Sequence, residues 1–120
     1  MKSVPAGYPV GYGHRWTSDR ATTIATVPIG YADGVRRDRG LRGGTVLIGG
    51  EHHPIVGTVA MDQLMVDVGP DSKVAVGDEV VLIGPQGDEE LSATDVAVTL
   101  DTIAYEVVCG ISKRVPRTYI

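Results

Sequence analysis

The stretch Thr22-Thr23-Ile24-Ala25-Thr26-Val27-Pro28-Ile29-Gly30-Tyr31-Ala32-Asp33-Gly34 joins a β-branched run to a turn, a pattern that repeats along this chain. Threonine, isoleucine and valine favour a pleated, half-buried surface, so Thr22–Val27 reads as a strand. Pro28, which has no backbone N–H to donate, ends it. Residues 28–34 then supply a proline, two glycines and an aspartate, the residue types that turns select. Working outward, Thr45–Ile48 is framed by Gly43-Gly44 and Gly49-Gly50, and further short apolar runs stand at residues 54–59, 64–68, 79–83 and 111–115. Val76-Gly77-Asp78 reads as the turn before the fifth run. Short strands about every ten residues are the mark of an all-β sandwich or barrel. Six of them suffice to close on themselves, which removes the exposed edges of a flat sheet. The expected fold is therefore mainly β: a small, closed, Greek-key-like six-stranded barrel.

One segment departs from this pattern. Ser92-Ala93-Thr94-Asp95 has the form of a capping box with Asp in place of Glu, and Val96, Ala97, Leu100 and Ile103 follow at near-helical spacing. A short helix is expected over residues 92–102. The polar, glycine-punctuated residues 84–90 before it read as a surface loop.

Composition limits the rest. A chain of 120 residues suits one domain with a modest core, burying roughly two thirds of the surface its unfolded form exposes. The apolar share is carried mainly by Val, Ile, Leu and Ala, with no Phe, one Trp and five Tyr, so the core is expected to be β-branched rather than aromatic. A net charge of −4, with basic residues scattered apart from Arg36, Arg37, Arg39 and Arg42, argues against an extended nucleic-acid footprint. The single cysteine, Cys109, cannot form an internal disulfide and is expected as a small buried hydrophobe beside Val107 and Val108. No apolar run approaches the roughly 20 residues of a membrane span. The start, Met1-Lys2-Ser3-Val4-Pro5, lacks an apolar signal region. The expectation is a cytoplasmic protein without membrane or nucleic-acid partners.

Three sites could carry chemistry. Tyr12 lies between Gly11 and Gly13, which permit backbone angles closed to other residues, so its ring is either half-buried in a turn or presented to a ligand. A phenol with a pKa of about 10 acts as a base at neutral pH only where cations or hydrogen bonds favour the phenolate. The arginines after the Tyr31 turn form either a solvated loop or an anion-attracting mouth, in which Tyr31 and one arginine could line a site for a small carboxylate. Met61-Asp62-Gln63 sits between apolar stretches, so Asp62 is expected to be exposed, paired or at a cavity. Met61 either fills the core or offers its backbone amide to an anion. The His52-His53 pair points to opposite faces of a strand and has no accompanying ligand motif, so no metal site is expected.

Taken in order, Val10-Gly11-Tyr12-Gly13, the turn at residues 28–34 and Val59-Ala60-Met61-Asp62-Gln63 resemble the C-terminal domain of alanine racemase. Later marks extend the resemblance over nearly the whole chain: Gly87-Asp88-Glu89, Thr102-Ile103-Ala104-Tyr105-Glu106 and Arg114-Val115-Pro116-Arg117. The resemblance implies a pyridoxal 5′-phosphate (PLP) isomerase that makes D-alanine for peptidoglycan. In that family an N-terminal (β/α)8 barrel carries the cofactor on a lysine, and the enzyme is a head-to-tail homodimer in which this domain sends a tyrosine into the partner subunit's site. By similarity Tyr12 is that tyrosine, the base on the L-alanine side, while the lysine serves the D-alanine side; racemisation needs two bases on opposite faces of the α-carbon.

By the same similarity the Met61 amide touches the substrate carboxylate, and Tyr31, Arg37, Asp62 and Ile111 line the access corridor. Two departures stand out: Thr58 where some members have an arginine, and Lys113 where some have a tyrosine near the cofactor phosphate. Lys113 could meet a phosphate as a point charge. The only lysines are Lys2, Lys73 and Lys113, none in the family's cofactor motif, so the chain alone is expected to be inactive. Alternative readings are a domain of a related serine racemase or a non-catalytic β-barrel interaction module.

Overall fold

A computed structural model describes residues 1–119, the side chain of Tyr12 excepted. Ten strands and two helices follow in order: β1 (Lys2–Val4), β2 (Pro9–Val10), β3 (Trp16–Thr17), β4 (Thr22–Val27), β5 (Thr45–Ile48), β6 (Glu51–Val56), β7 (Leu64–Asp67), β8 (Val80–Val81), β9 (Gly84–Gln86), β10 (Glu89–Leu91), α1 (Ala93–Leu100) and α2 (Ala104–Cys109). The main sheet has six strands in the order β1-β4-β7-β6-β5-β8, every neighbouring pair antiparallel. Its register places Ile24 opposite Asp67, Val27 opposite Leu64, Ile55 opposite Val66 and Ile48 opposite Glu51. Gly49 and Gly50, with φ of +62° and +76°, form the two-residue turn between β5 and β6, in the left-handed region that such tight hairpins require.

Side chains alternate across the pleat, and the sheet is covered on both faces. On one face Ala25, Val27, Val46, Ile48, Ile55, Leu64 and Val66 form the main core. On the other, Ile24 and Val56 meet Val4 and Val10 at one end, while Leu47 meets Leu91, Val96 and Leu100 under α1. The helix begins where the capping box sets it: Ser92 Oγ accepts from Asp95 N at 3.0 Å and Asp95 Oδ2 accepts from Ser92 N at 2.9 Å. It ends at Asp101, in the left-handed conformation at φ 56°.

The closed barrel expected from the sequence does not form. β1 and β8 are the two edges of an open sheet and do not pair with each other. The run at residues 79–83 yields only the two-residue β8, and residues 111–115 form turns rather than a sixth strand. There Ser112 N donates to Asp33 O and Val115 N to Ser112 O, while the Arg117 guanidinium donates to the carbonyls of Ile111, Ser112 and Val115. Those carbonyls are thus unavailable to a ladder.

Other boundaries shift for local reasons. The run expected at residues 54–59 is β6, which begins at the hairpin turn and stops before Gly57, whose φ is +76°. The expected loop at residues 84–90 is the β9–β10 hairpin. α2 was not expected, and it leaves Cys109 exposed instead of buried. Among the described residues no helix is long and apolar enough to cross a membrane.

Candidate active-site face

Two glycine contacts fasten two distant turns to one segment, residues 57–61. The first turn follows β2. Gly11 has φ +84°, and a Cβ there would lie 3.2 Å from Gly57 Cα and from Thr58 N; a Cβ on Gly57 would lie 2.8 Å from Val10 O. Only two glycines allow this backbone-to-backbone approach. The 3-10 turn Tyr12–His14 leaves directly from it, with Gly13 at φ 75° and His14 at φ 51°. Positive φ at a non-glycine residue is strained and persists only where surrounding contacts hold it. The side chain of Tyr12, the catalytic tyrosine that the family resemblance implies, lies outside the described residues.

The second turn follows β4. A Cβ on Gly30 would stand 2.2 Å from Ala60 O, so no other residue fits without moving backbone. Tyr31 N donates to Ala60 O at 2.9 Å and Ala32 N to Met61 O at 3.0 Å, while Asp33 Oδ2 accepts from Gly30 N at 2.9 Å. Tyr31 is thereby held beside Met61 and Asp62. Met61 is 53% exposed, which excludes the gap-filling role. Its carbonyl is taken by Ala32, whereas its amide has no partner among the described residues.

Charges tie the turn and the loop together. Arg114 reaches Asp62 Oδ1 at 2.7 Å through Nη2 and Asp33 Oδ1 at 3.4 Å through Nε. The hydrogen bond that Arg114 donates to Asp62 and the field of Asp33 hold the guanidinium more firmly protonated than usual. Asp33 O accepts from Ser112 N at 3.0 Å, and a Cβ on Gly34 would lie 2.8 Å from Ile111 Cα, which fixes Ile111 behind the Tyr31 turn. Asp33 and Arg114 are the residues that organise this face, yet sequence reasoning assigned neither a role. The signal available was Arg114-Val115-Pro116-Arg117, a mark of the family resemblance whose first two residues also fall in the strand expected at residues 111–115.

The arginine cluster divides. Arg36 and Arg42 both pair with Asp38, at 3.0 and 2.7 Å. Arg39 is buried. Arg37 is exposed, its carbonyl accepting from Val59 N at 3.0 Å, and its guanidinium has no ion pair among the described residues. Of the four arginines it is the exposed one without an ion pair among the described residues. His52 pairs with Glu89 at 3.4 Å, and no group of three candidate metal ligands occurs among the described residues.

The three lysines do not suit a cofactor linkage, which calls for a desolvated amine. Lys2 Nζ donates to the Tyr8 hydroxyl at 2.6 Å on the surface, and Lys73 and Lys113 are exposed. The face thus combines a glycine-framed tyrosine turn with a backbone amide and an arginine that have no partner among the described residues, parts suited to holding a small carboxylate.

The family model for "Alanine racemase, C-terminal domain" matches residues 1–119. The chain belongs to the alanine racemase C-terminal domain family. It is 59% identical over 120 residues to the alanine racemase of Cutibacterium acnes, covering 100% of this chain and 32% of that protein. The solved alanine racemase of Bacillus anthracis with bound L-Ala-P matches with a TM-score of 0.90 at 46% identity, over 99% of this chain and 30% of that one. The Bartonella henselae alanine racemase, solved with covalently bound pyridoxal phosphate, matches with a TM-score of 0.86 at 38% identity, over 99% of this chain and 32% of that one. The chain therefore spans about a third of the length of the alanine racemases it matches. Alanine racemases are isomerases, so this domain is related to part of an isomerase.

Proposed function

We propose that this chain works as the C-terminal domain of an alanine racemase that interconverts L- and D-alanine for peptidoglycan synthesis. An N-terminal barrel of the same protein would carry PLP on its lysine, and a second subunit would complete each site. The observation that supports this reading is the convergence on residues 57–61: Gly11 brings in the Tyr12 turn and Gly30 brings in the Tyr31 turn. Three segments far apart in sequence thus meet where a substrate would be held.

Each residue then has a task. Tyr12 takes or returns the α-proton on the L-alanine side from the partner's site. The Met61 amide donates to the substrate carboxylate, while the exposed Met61 side chain has no part in it. Tyr31, Arg37, Asp62 and Ile111 line the access corridor, with Arg37 favouring the approach of the carboxylate. When bound, PLP supplies the electron sink that makes the α-proton acidic enough to move. Lys113, exposed at the rim, could meet a phosphate only as a point charge.

The test is the Tyr12→Phe variant in the longer protein. A general base contributes roughly 10²–10⁴-fold, so the rate from L-alanine is expected to fall at least a hundredfold while the cofactor spectrum is unchanged. Wild-type racemisation in both directions would sink the proposal. The 120-residue chain with PLP supplied is expected to show no turnover of either enantiomer.

A further inference from the structure

A cavity of about 770 Å³ lies between the β8 end of the sheet and the two helices, and Tyr31, Asp33 and Ile111 are among the residues that line it. That volume falls within the range of small-molecule sites. Its walls are largely apolar, with Val35, Leu82, Ile83, Val96, Leu100 and Val107 contributing. One wall residue does not fit that character. Arg39 is only 4% exposed, and it borders this cavity and a smaller one of about 340 Å³.

The environment of Arg39 is incomplete. Nη2 donates to Thr45 O at 3.1 Å and to Leu82 O at 2.7 Å. A guanidinium has five N–H donors, and both bonds leave from one nitrogen. No fully buried side-chain nitrogen among the described residues lacks a partner, so Nε and Nη1, which have no protein partner among those residues, are not sealed in protein, and the side chain that carries them borders both cavities. The other charges of the large cavity are already engaged. Arg36 pairs with Asp38 at 3.0 Å, Asp33 with Arg114 at 3.4 Å, and Glu106 accepts from Thr102 Oγ1 at 2.8 Å. Glu79 is exposed and accepts from Gln86 Nε2 at 3.4 Å. Arg39 is thus a buried cation with no counter-charge within ion-pair reach among the described residues. Burial lowers its guanidinium to about 10, the cost of removing a cation from water with nothing opposite it.

We propose that this cavity binds an aliphatic monocarboxylate, its carboxylate on Nε and Nη1 of Arg39 and its hydrocarbon tail along Val96, Leu100 and Val107. The ligand supplies both missing elements at once: an anion for charge-assisted hydrogen bonds and apolar volume for the hollow.

Decanoate and 1-decanol, equal in chain length and different in charge, are the probes. Titrated into the isotope-labelled 120-residue chain, decanoate is expected to shift the methyl resonances of Val96, Leu100 and Val107, and to bind at least tenfold more tightly than decanol. Arg39→Met should weaken decanoate at least tenfold and leave decanol unchanged. Val107→Phe, which fills the hollow while keeping Arg39, should weaken both, and it carries the test if Arg39→Met does not fold. Equal affinity for the two probes, or shifts confined to other surfaces, would overturn the proposal. So would binding to the 120-residue chain that vanishes in the longer protein, because the rest of that protein would then fill the hollow. None of these readouts uses turnover, so their outcome is separate from that of the racemase proposal.

Discussion

The sheet and the helical edge of this domain are built to different standards. In the sheet, Val46, Leu47 and Val66 are fully buried, and β4, β5, β6 and β7 each have a hydrogen-bonded neighbour on both sides. α2 buries no residue, exposes Ile103 at its start together with Tyr105 and Val108, and lies against α1 beside a cavity. The Tyr31 turn leaves from β4 of this sheet and the Tyr12 turn from β2, whose Val10 packs on it against Ile24 and Val56, which explains how short loops can hold a strained His14 and a glycine wedged against a carbonyl. Rigidity is placed where side chains must be aimed, and the looser half is where a hollow persists.

That contrast can be broken by substitution. Leu64→Ala, at a position 1% exposed, is expected to cost about 2–5 kcal/mol in urea unfolding, whereas Val108→Ala on α2 should stay within about 0.5 kcal/mol. Similar losses at both sites would show that the two halves are equally packed. Gly30→Ala comes next, at about 1–3 kcal/mol, because the Cβ would displace Ala60 O; amide shifts confined to residues 28–34 and 57–63 would sharpen the reading, and their absence would contradict it. Arg114→Met should change global stability less than either, since its ion pairs are exposed and screened by salt. Its mark should be faster hydrogen exchange at the Ala32 amide, an effect that high salt reproduces in the unaltered chain.

The smallest effect concerns the start of α1. The hydrogen bond from the Ser92 backbone N–H, then that with the Ser92 side chain, hold the Asp95 carboxyl below the usual range. A carboxylate depressed in the folded state stabilises above its unfolded pKa, and that stability is lost as pH falls through the folded value. Asp95→Asn keeps an acceptor oxygen but cannot titrate, so the decline in stability between about pH 5 and pH 2 should be shallower. An unchanged acid limb would remove Asp95 from the account.

Much of the architecture was legible because it rests on local rules. Thr22–Val27 and Thr45–Ile48 stand where β-branched runs meet proline or glycine, and α1 starts at the residue whose side chain can cap it. Of the residues proposed for the site, the structure places the Tyr31 turn against Met61 and beside Ile111, and leaves Arg37 without the ion pairs that hold Arg36 and Arg42. The errors share one physical source. Residues 111–115 have strand composition, but the Arg117 guanidinium, arriving from beyond the run, takes its carbonyls. Cys109 has burial propensity, but α2 turns it outward.

Strand-forming runs, their glycine and proline breaks, the helix cap and the family itself were determined by the sequence alone, because each depends on residues close together along the chain. Whether the sheet would close, which arginine would be buried, and that Asp33 and Arg114 would clasp the Met61 loop were decided only by the tertiary structure. Edge pairing, burial and ion pairing depend on which distant groups arrive at the same place, and adjacent residues carry no record of that.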